Sequence, residues 1–255
     1  MISSLNDFDY GLCSIYGIPF YKFKFDNFEE HQKTLIDFCL SGHVDDTTTS
    51  ADVKFRWLKE EHDRKVFDWE KVTKNISSNV IGHEYKSSVA NLHSTNIAEE
   101  VWRKFDSGSW LMDVIYDCLG NIIKDNKGFT IYNSWFVYTK GGSGGWNLPH
   151  THPGCFLASA FYLKTSKNCG NYFAIGSNSS IDSLFEGDSQ IISYAPVEGE
   201  MIFFPASVVH MVGPNMSDAD RLSISFNIVH KANVESLDSS PMIHGIKKDD
   251  WLSKK

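Results

Sequence analysis

Seven residues near the end of the chain, Arg221-Leu-Ser-Ile-Ser-Phe-Asn227, constrain the fold more than any other stretch. On a strand, successive side chains point to opposite faces. Leu222, Ile224, Phe226 and Ile228 then form one apolar face, while Arg221, Ser223, Ser225 and Asn227 form a polar one. The apolar face has to be covered, and a helix layer can do that. In a barrel the polar face points inward, where a charge is costly unless it is paired. An inward Arg221 therefore implies a bound anion, most simply a carboxylate held bidentately, with Ser223 adding a hydroxyl donor. The competing reading is an edge strand whose polar face is solvated.

The stretches before it fit a barrel or sandwich. From Gly128 the sequence breaks into short β-like runs separated by turns: Phe129–Thr139, Phe156–Leu163, Tyr172–Ile175, Gln190–Tyr194, Met201–Phe204, Val208–Val212 and Arg221–Val229. Many short strands at this spacing indicate a closed or two-layered β structure. The first half reads differently. Cys13–Phe25 is predicted as one entering strand, and Asn27-Phe-Glu-Glu30 is a capping-box pattern opening a helix that ends at Gly42. Asn96-Ile-Ala-Glu99 opens another helix. Between Ser107 and Asp125, Leu111, Val114, Ile115, Cys118, Leu119 and Ile122 fall at helical spacing and should lie against a sheet. The expected class is α+β, a single domain over residues 1–255. Residues 1–127 supply an N-terminal strand and helical support, 128–230 the β core, and 231–255 a polar tail with Ile243 and Trp251 as candidate anchors.

A second feature gives the chemistry. Asn147-Leu-Pro-His150-Thr-His152-Pro-Gly154 places two imidazoles two residues apart, so that on one strand end both face the same way. His210, in Phe203-Phe-Pro-Ala-Ser-Val-Val-His210, supplies a third from a neighbouring strand. Three histidines can cap one metal ion and leave positions open for other ligands. Imidazole suits Fe, Zn, Cu and Ni alike, so the ligand type does not choose the metal.

Composition excludes several classes. The 255 residues are 42% hydrophobic and 14% aromatic, enough for one sizeable core. A net charge of −8 argues against phosphate-backbone binding as the main activity, and nucleic acid is not an expected partner. The five cysteines form no Cys-x-x-Cys, so neither a disulfide framework nor a cysteine zinc site is indicated. The N-terminal residues carry no signal-peptide pattern, and no apolar run is long enough to span a membrane. The expected setting is cytoplasmic. Gly141-Gly-Ser-Gly-Gly145 lacks the Lys-Ser/Thr ending of a phosphate loop and reads as a flexible loop beside the site.

Taken together, these motifs resemble the Fe(II)/2-oxoglutarate-dependent oxygenases, and most of all a group found in bacteria and phages. The resemblance runs from Asn133 to Asn227. It is carried by the His150/His152 pair followed by Pro-Gly, Phe161-Tyr-Leu163, Gly170-Asn-Tyr-Phe173, Glu198-Gly199 with Phe204-Pro205, His210, and Arg221-x-Ser223. It implies a double-stranded β-helix, or jelly roll, with Fe(II) on His150, His152 and His210. It also implies 2-oxoglutarate with its far carboxylate on Arg221 and Ser223, and hydroxylation of a small-molecule or peptide substrate with release of succinate and CO₂. Tyr138, Trp146, Tyr162 and Asn227 are the candidate substrate-pocket residues.

One departure stands out. Most of that superfamily has His-x-Asp/Glu, and here His152 stands where the carboxylate would be. In a second register, with His152 as first ligand, the carboxylate position falls on Gly154, which resembles the halogenases of the superfamily. Two further readings compete: a three-His zinc hydrolase or lyase, which needs a general base near the metal, and a non-catalytic cupin-like binding module. Substrate specificity is expected in the Gly-rich loop and in residues 53–72 and 177–188.

Overall fold

The computed structural model describes residues 8–15, 18–41, 88–89, 92–93, 97–175, 191–239, 242–243 and 246–247. Residues 53–72 and 177–188, and Trp251, lie outside these.

Two antiparallel sheets and a helical layer build the molecule. The strands are β1 (Phe8–Ile15), β2 (Ile18–Phe25), β3 (Ser88–Val89), β4 (Leu92–His93), β5 (Phe129–Thr139), β6 (Trp146–His150), β7 (Leu157–Lys164), β8 (Tyr172–Ile175), β9 (Ile191–Tyr194), β10 (Glu200–Pro205), β11 (Val209–Val212) and β12 (Arg221–His230). One sheet runs β1-β2-β10-β7-β12-β5-β4 and the other β3-β6-β11-β8-β9. The helices are α1 (Phe28–Ser41), α2 (Glu99–Trp102), α3 (Asp106–Ile122) and α4 (Val234–Ser239), followed by a small hairpin of β13 (Met242–Ile243) and β14 (Ile246–Lys247).

The N-terminal stretch corrects the reading of one strand over Cys13–Phe25. The chain instead forms a hairpin, β1 pairing with β2 from Phe8↔Phe25 to Ile15↔Ile18. β2 then pairs with β10, so the N-terminal half extends the larger sheet as well as covering it. α1 begins where the capping-box pattern placed it, and the bond seen there runs from the Glu30 amide to the Asn27 carbonyl.

β12 lies between β5 and β7. Its Leu222, Ile224, Phe226 and Ile228 pack into one core with Leu111, Met112, Ile115, Cys118 and Leu119 of α3 and Leu35 and Phe38 of α1. Burying each large apolar side chain contributes about 1.5–3 kcal/mol. A one-residue slip of β12 would put all four of its apolar side chains on the wrong face, and this fixes the register. Trp102 Nε1 donates to Ser134 Oγ at 2.8 Å, and Ser134 Oγ donates to the Ile97 carbonyl at 2.6 Å, which ties α2 to β5 through buried bonds. The opposite faces of the sheets enclose a second, smaller core of Phe20, Ala158, Tyr162, Tyr172, Ala174, Ile202 and Phe204. The candidate site lies on that side.

Candidate metal centre and anion pocket

β6 and β11 are antiparallel neighbours, with His150 opposite His210. β6 ends at His150, so His152 lies just past the strand rather than on it. It is held there by its own amide, which donates to the Ala206 carbonyl at 2.9 Å. The three rings converge. Their centroids are 4.3 Å apart for His150 and His210, 5.0 Å for His152 and His210, and 5.3 Å for His150 and His152. One nitrogen from each lies within 4.8 Å of the others. His152 and His210 are 4% exposed, and His150 is half-buried.

This donor set fits a metal. The Nε2 atoms of His152 and His210 stand 3.1 Å apart. Two imidazole nitrogens at about 2.1 Å from one ion, at a right angle, are about 3.0 Å apart. His210 Nδ1 donates to the Val208 carbonyl at 3.0 Å, which fixes the tautomer and turns the Nε2 lone pair toward the cluster. Trp135 packs beside His152, with ring centroids 5.9 Å apart. Gly154 points elsewhere: a Cβ there would run into the Leu237 side chain rather than toward the histidines.

The histidines line a cavity whose wall also includes Trp135, Val137, Tyr162, Tyr172, Phe204, Ser223, Ser225 and Arg221. Arg221 is 2% exposed. Its guanidinium donates to the Cys169 carbonyl at 2.7 Å and to Thr139 Oγ1 at 3.0 Å, with longer bonds to the carbonyls of Gly213 and Gly170. Among the described residues it meets no carboxylate, and none of the described side chains lining the cavity is acidic. Burial lowers the Arg221 pKa from its ordinary value, the expected direction for a cation held in a dry site. Burial also pushes the Tyr162 phenol up, against the pull of the Arg221 guanidinium, and the Tyr172 phenol is raised by burial as well.

Gly170 makes room for the guanidinium. Its φ is +96°, and a Cβ would lie 2.1 Å from the Gly213 carbonyl oxygen and 2.6 Å from Arg221 Nη1. Gly170→Ala is therefore expected to cost at least about 2 kcal/mol. For a chain of this size that lowers the thermal midpoint by about 4–8 °C. A thermal melt with an unchanged midpoint would show that the 169–171 segment shifts freely and does not seat the arginine.

The structure brings His150, His152, His210, Arg221, Ser223 and Tyr162 to one cavity. It does not bring the other pocket candidates there. Tyr138 faces the helical layer, packing on the larger core and hydrogen-bonding Asp220, because β5 turns Trp135 and Val137 inward and Phe136 and Tyr138 outward. Trp146 starts β6 opposite Val89, and its side chain is not part of the cavity wall. Asn227 shares the inward face of β12 but lies one step beyond Ser225, fully buried below the wall. The Gly-rich loop does lie close to the pocket's arginine end and is tied down there. Gly141 donates to Asp220 Oδ1 at 3.0 Å, Gly142 to the Ser217 carbonyl at 2.7 Å, and the Gly145 carbonyl accepts from Asn215 at 2.9 Å. Trp135, Tyr172, Asn147 and Phe204 are wall residues that the sequence reading missed. Only Trp135 could have been reached from the sequence, by pairing its parity with that of the inward Ser225 once β5 is known to lie beside β12.

Residues 133–227 match a family model described as "Putative 2OG-Fe(II) oxygenase". No curated protein matches the chain. Among solved structures, the non-heme alpha ketoglutarate dependent carbocyclase SnoK from nogalamycin biosynthesis aligns at 12% identity over 88% of this chain and 90% of its own, with a TM-score of 0.47. A prolyl-4-hydroxylase from Pseudomonas putida aligns at 14% identity over 64% of this chain and 83% of its own, TM-score 0.40. An oxidoreductase of the 2OG-Fe(II) oxygenase family from Burkholderia pseudomallei aligns at 12% identity over 49% of this chain, TM-score 0.38, and the match spans only 58% of that protein.

Proposed function

We propose that this chain is a non-haem Fe(II)- and 2-oxoglutarate-dependent dioxygenase that hydroxylates a small-molecule or peptide substrate and releases succinate and CO₂. One observation carries the reading: a three-histidine cluster and a buried arginine with no carboxylate partner among the described residues line one cavity. A ligand that satisfies both needs a metal-chelating group at one end and a carboxylate at the other, and 2-oxoglutarate has both. The match of residues 133–227 supports the same assignment. Strand order supports a jelly roll. Counting β5–β12 as strands one to eight, the sheets carry 1-8-3-6 and 2-7-4-5, the interleaving expected of a double-stranded β-helix.

In this reading His150, His152 and His210 hold Fe(II), and Arg221 with Ser223 hold the far carboxylate. The metal with its 2-oxo acid would supply the oxidising chemistry, and the protein supplies binding, orientation and shielding. Trp135, Val137, Phe204 and Val212 contribute apolar side chains to the cavity wall, which would help keep water from the reacting centre. No helix among the described residues is long and apolar enough to cross a membrane. Cys39, Cys118 and Cys169 are buried free thiols.

The test is an anaerobic titration of the protein with Fe(II) and then 2-oxoglutarate, followed by visible absorption. A weak charge-transfer band that needs both additions is the expected result. Iron binding without such a band would remove 2-oxoglutarate from the assignment and favour a three-His zinc enzyme or a binding module.

A further inference from the structure

His150, His152 and His210 hold a metal as neutral imidazoles. The usual set of two histidines and one carboxylate brings a negative charge to the ion, and here His152 stands in the carboxylate's place. A divalent ion on this chain therefore keeps both of its charges, where the usual set cancels one.

No other group on the described wall cancels it. None of the described residues lining the cavity is acidic, and the other charged residue there, Arg221, is a cation that is 2% exposed. The phenols of Tyr162 and Tyr172 are pushed up by burial and stay neutral. Glu200 is the only acidic side chain buried among the described residues, and it is already answered. Lys22 Nζ lies 3.2 Å from one of its carboxylate oxygens, and the Tyr194 hydroxyl donates to the other.

The loaded site is then out of balance. Two charges on the ion and one on Arg221 face the two of the 2-oxoglutarate dianion, so one positive charge is left over. An uncompensated charge in a buried cavity is costly. The metal is also open to an outside ligand on one side, since His150 is half-buried while His152 and His210 are buried.

We infer that the loaded metal centre takes one further monoanionic group, either a carboxylate carried by the prime substrate or a small inorganic anion. This rests on the 2-oxoglutarate reading of the site. The first source makes the substrate an acid, and the second makes turnover depend on a halide.

Anaerobic calorimetry on the protein loaded with Fe(II) and saturating 2-oxoglutarate tests this, with acetate, acetamide and chloride as probes. Acetate and acetamide are alike in shape and differ in charge. Acetate, chloride or both should bind wild type at least about tenfold more tightly than acetamide does. His152→Asp supplies the missing negative charge, so the same anion should bind the variant about tenfold or more weakly. If that variant loses its metal, the comparison with acetamide in wild type decides alone. Binding of acetate assigns the anion to the substrate, and binding of chloride alone assigns it to an inorganic ion. Anions that bind no better than acetamide, or equally well in metal-loaded His152→Asp, overturn the inference and leave the oxygenase reading standing. A wild-type protein that binds Fe(II) but not 2-oxoglutarate overturns both.

Discussion

His210→Ala is expected to lose stoichiometric Fe(II) or Ni(II) binding and, with it, all oxygenase turnover. His210 sits at the centre of the cluster: its ring contacts both other histidines, and its Nε2 is 3.1 Å from that of His152. Its orientation is fixed as well, since the Val208 carbonyl accepts from its Nδ1–H. Removing an outer partner of a metal ligand alone costs about 10–100-fold in affinity. Removing the ligand itself should cost at least about 100-fold. Alanine also deletes packing against Tyr172 and Phe204, so some loss of stability is expected as well. His152→Asp is the informative contrast. It puts a carboxylate where most of the superfamily has one, and a protein that keeps its metal should result. Competition with a chromogenic chelator measures both. Wild-type metal affinity in His210→Ala would show that the three rings only pack together.

How the sequence led to this site, and where it did not, follows from what each residue pattern determines. β12 was legible in full because both its faces are diagnostic: four apolar side chains at period two cannot all be exposed, and an arginine on the other face needs an anion. β5 was legible as a strand but not in its orientation. It carries aromatic residues at both parities, Trp135 on one and Phe136 and Tyr138 on the other, so the pattern could not say which face meets the cavity. Tyr138 was assigned to the pocket on that uncertainty and lies on the helix side. The break in Cys13–Phe25 is not marked strongly in the sequence, because both halves of the hairpin are β-like and Pro19, the residue that could signal a turn, lies within β2. Tyr172 was hidden for a different reason. It reaches the cavity because β8 pairs with β11, setting Tyr172 opposite Val212, and that pairing is not written in either segment.

Arg221→Met is expected to separate binding from stability, with opposite signs. Arg221 is buried, and its charge is answered among the described residues only by carbonyl and hydroxyl oxygens. If a ligand carboxylate is its intended partner, the ligand-free protein carries the desolvation cost without the return. Replacing a buried charge by an apolar side chain of similar volume is often neutral or stabilising. Some loss comes from the Cys169 carbonyl and Thr139 hydroxyl that the guanidinium satisfies. The net effect on the ligand-free thermal midpoint should therefore be small or upward. Affinity for 2-oxoglutarate should move the other way, because truncating one member of a buried charge pair costs about 2–5 kcal/mol, roughly 30- to 5000-fold in Kd. Since a ligand that binds only the folded state raises the midpoint by mass action, the 2-oxoglutarate-dependent rise seen in wild type should vanish in the variant while the Fe(II)-dependent rise persists. Arg221→Lys keeps the charge but loses the planar fork and should fall between the two. A thermal-shift series with and without each ligand measures all of this. A large drop in the ligand-free midpoint of Arg221→Met, with the 2-oxoglutarate shift intact, would make Arg221 a structural cross-link between the segments carrying Cys169, Gly213 and Thr139, and would place the cosubstrate carboxylate elsewhere.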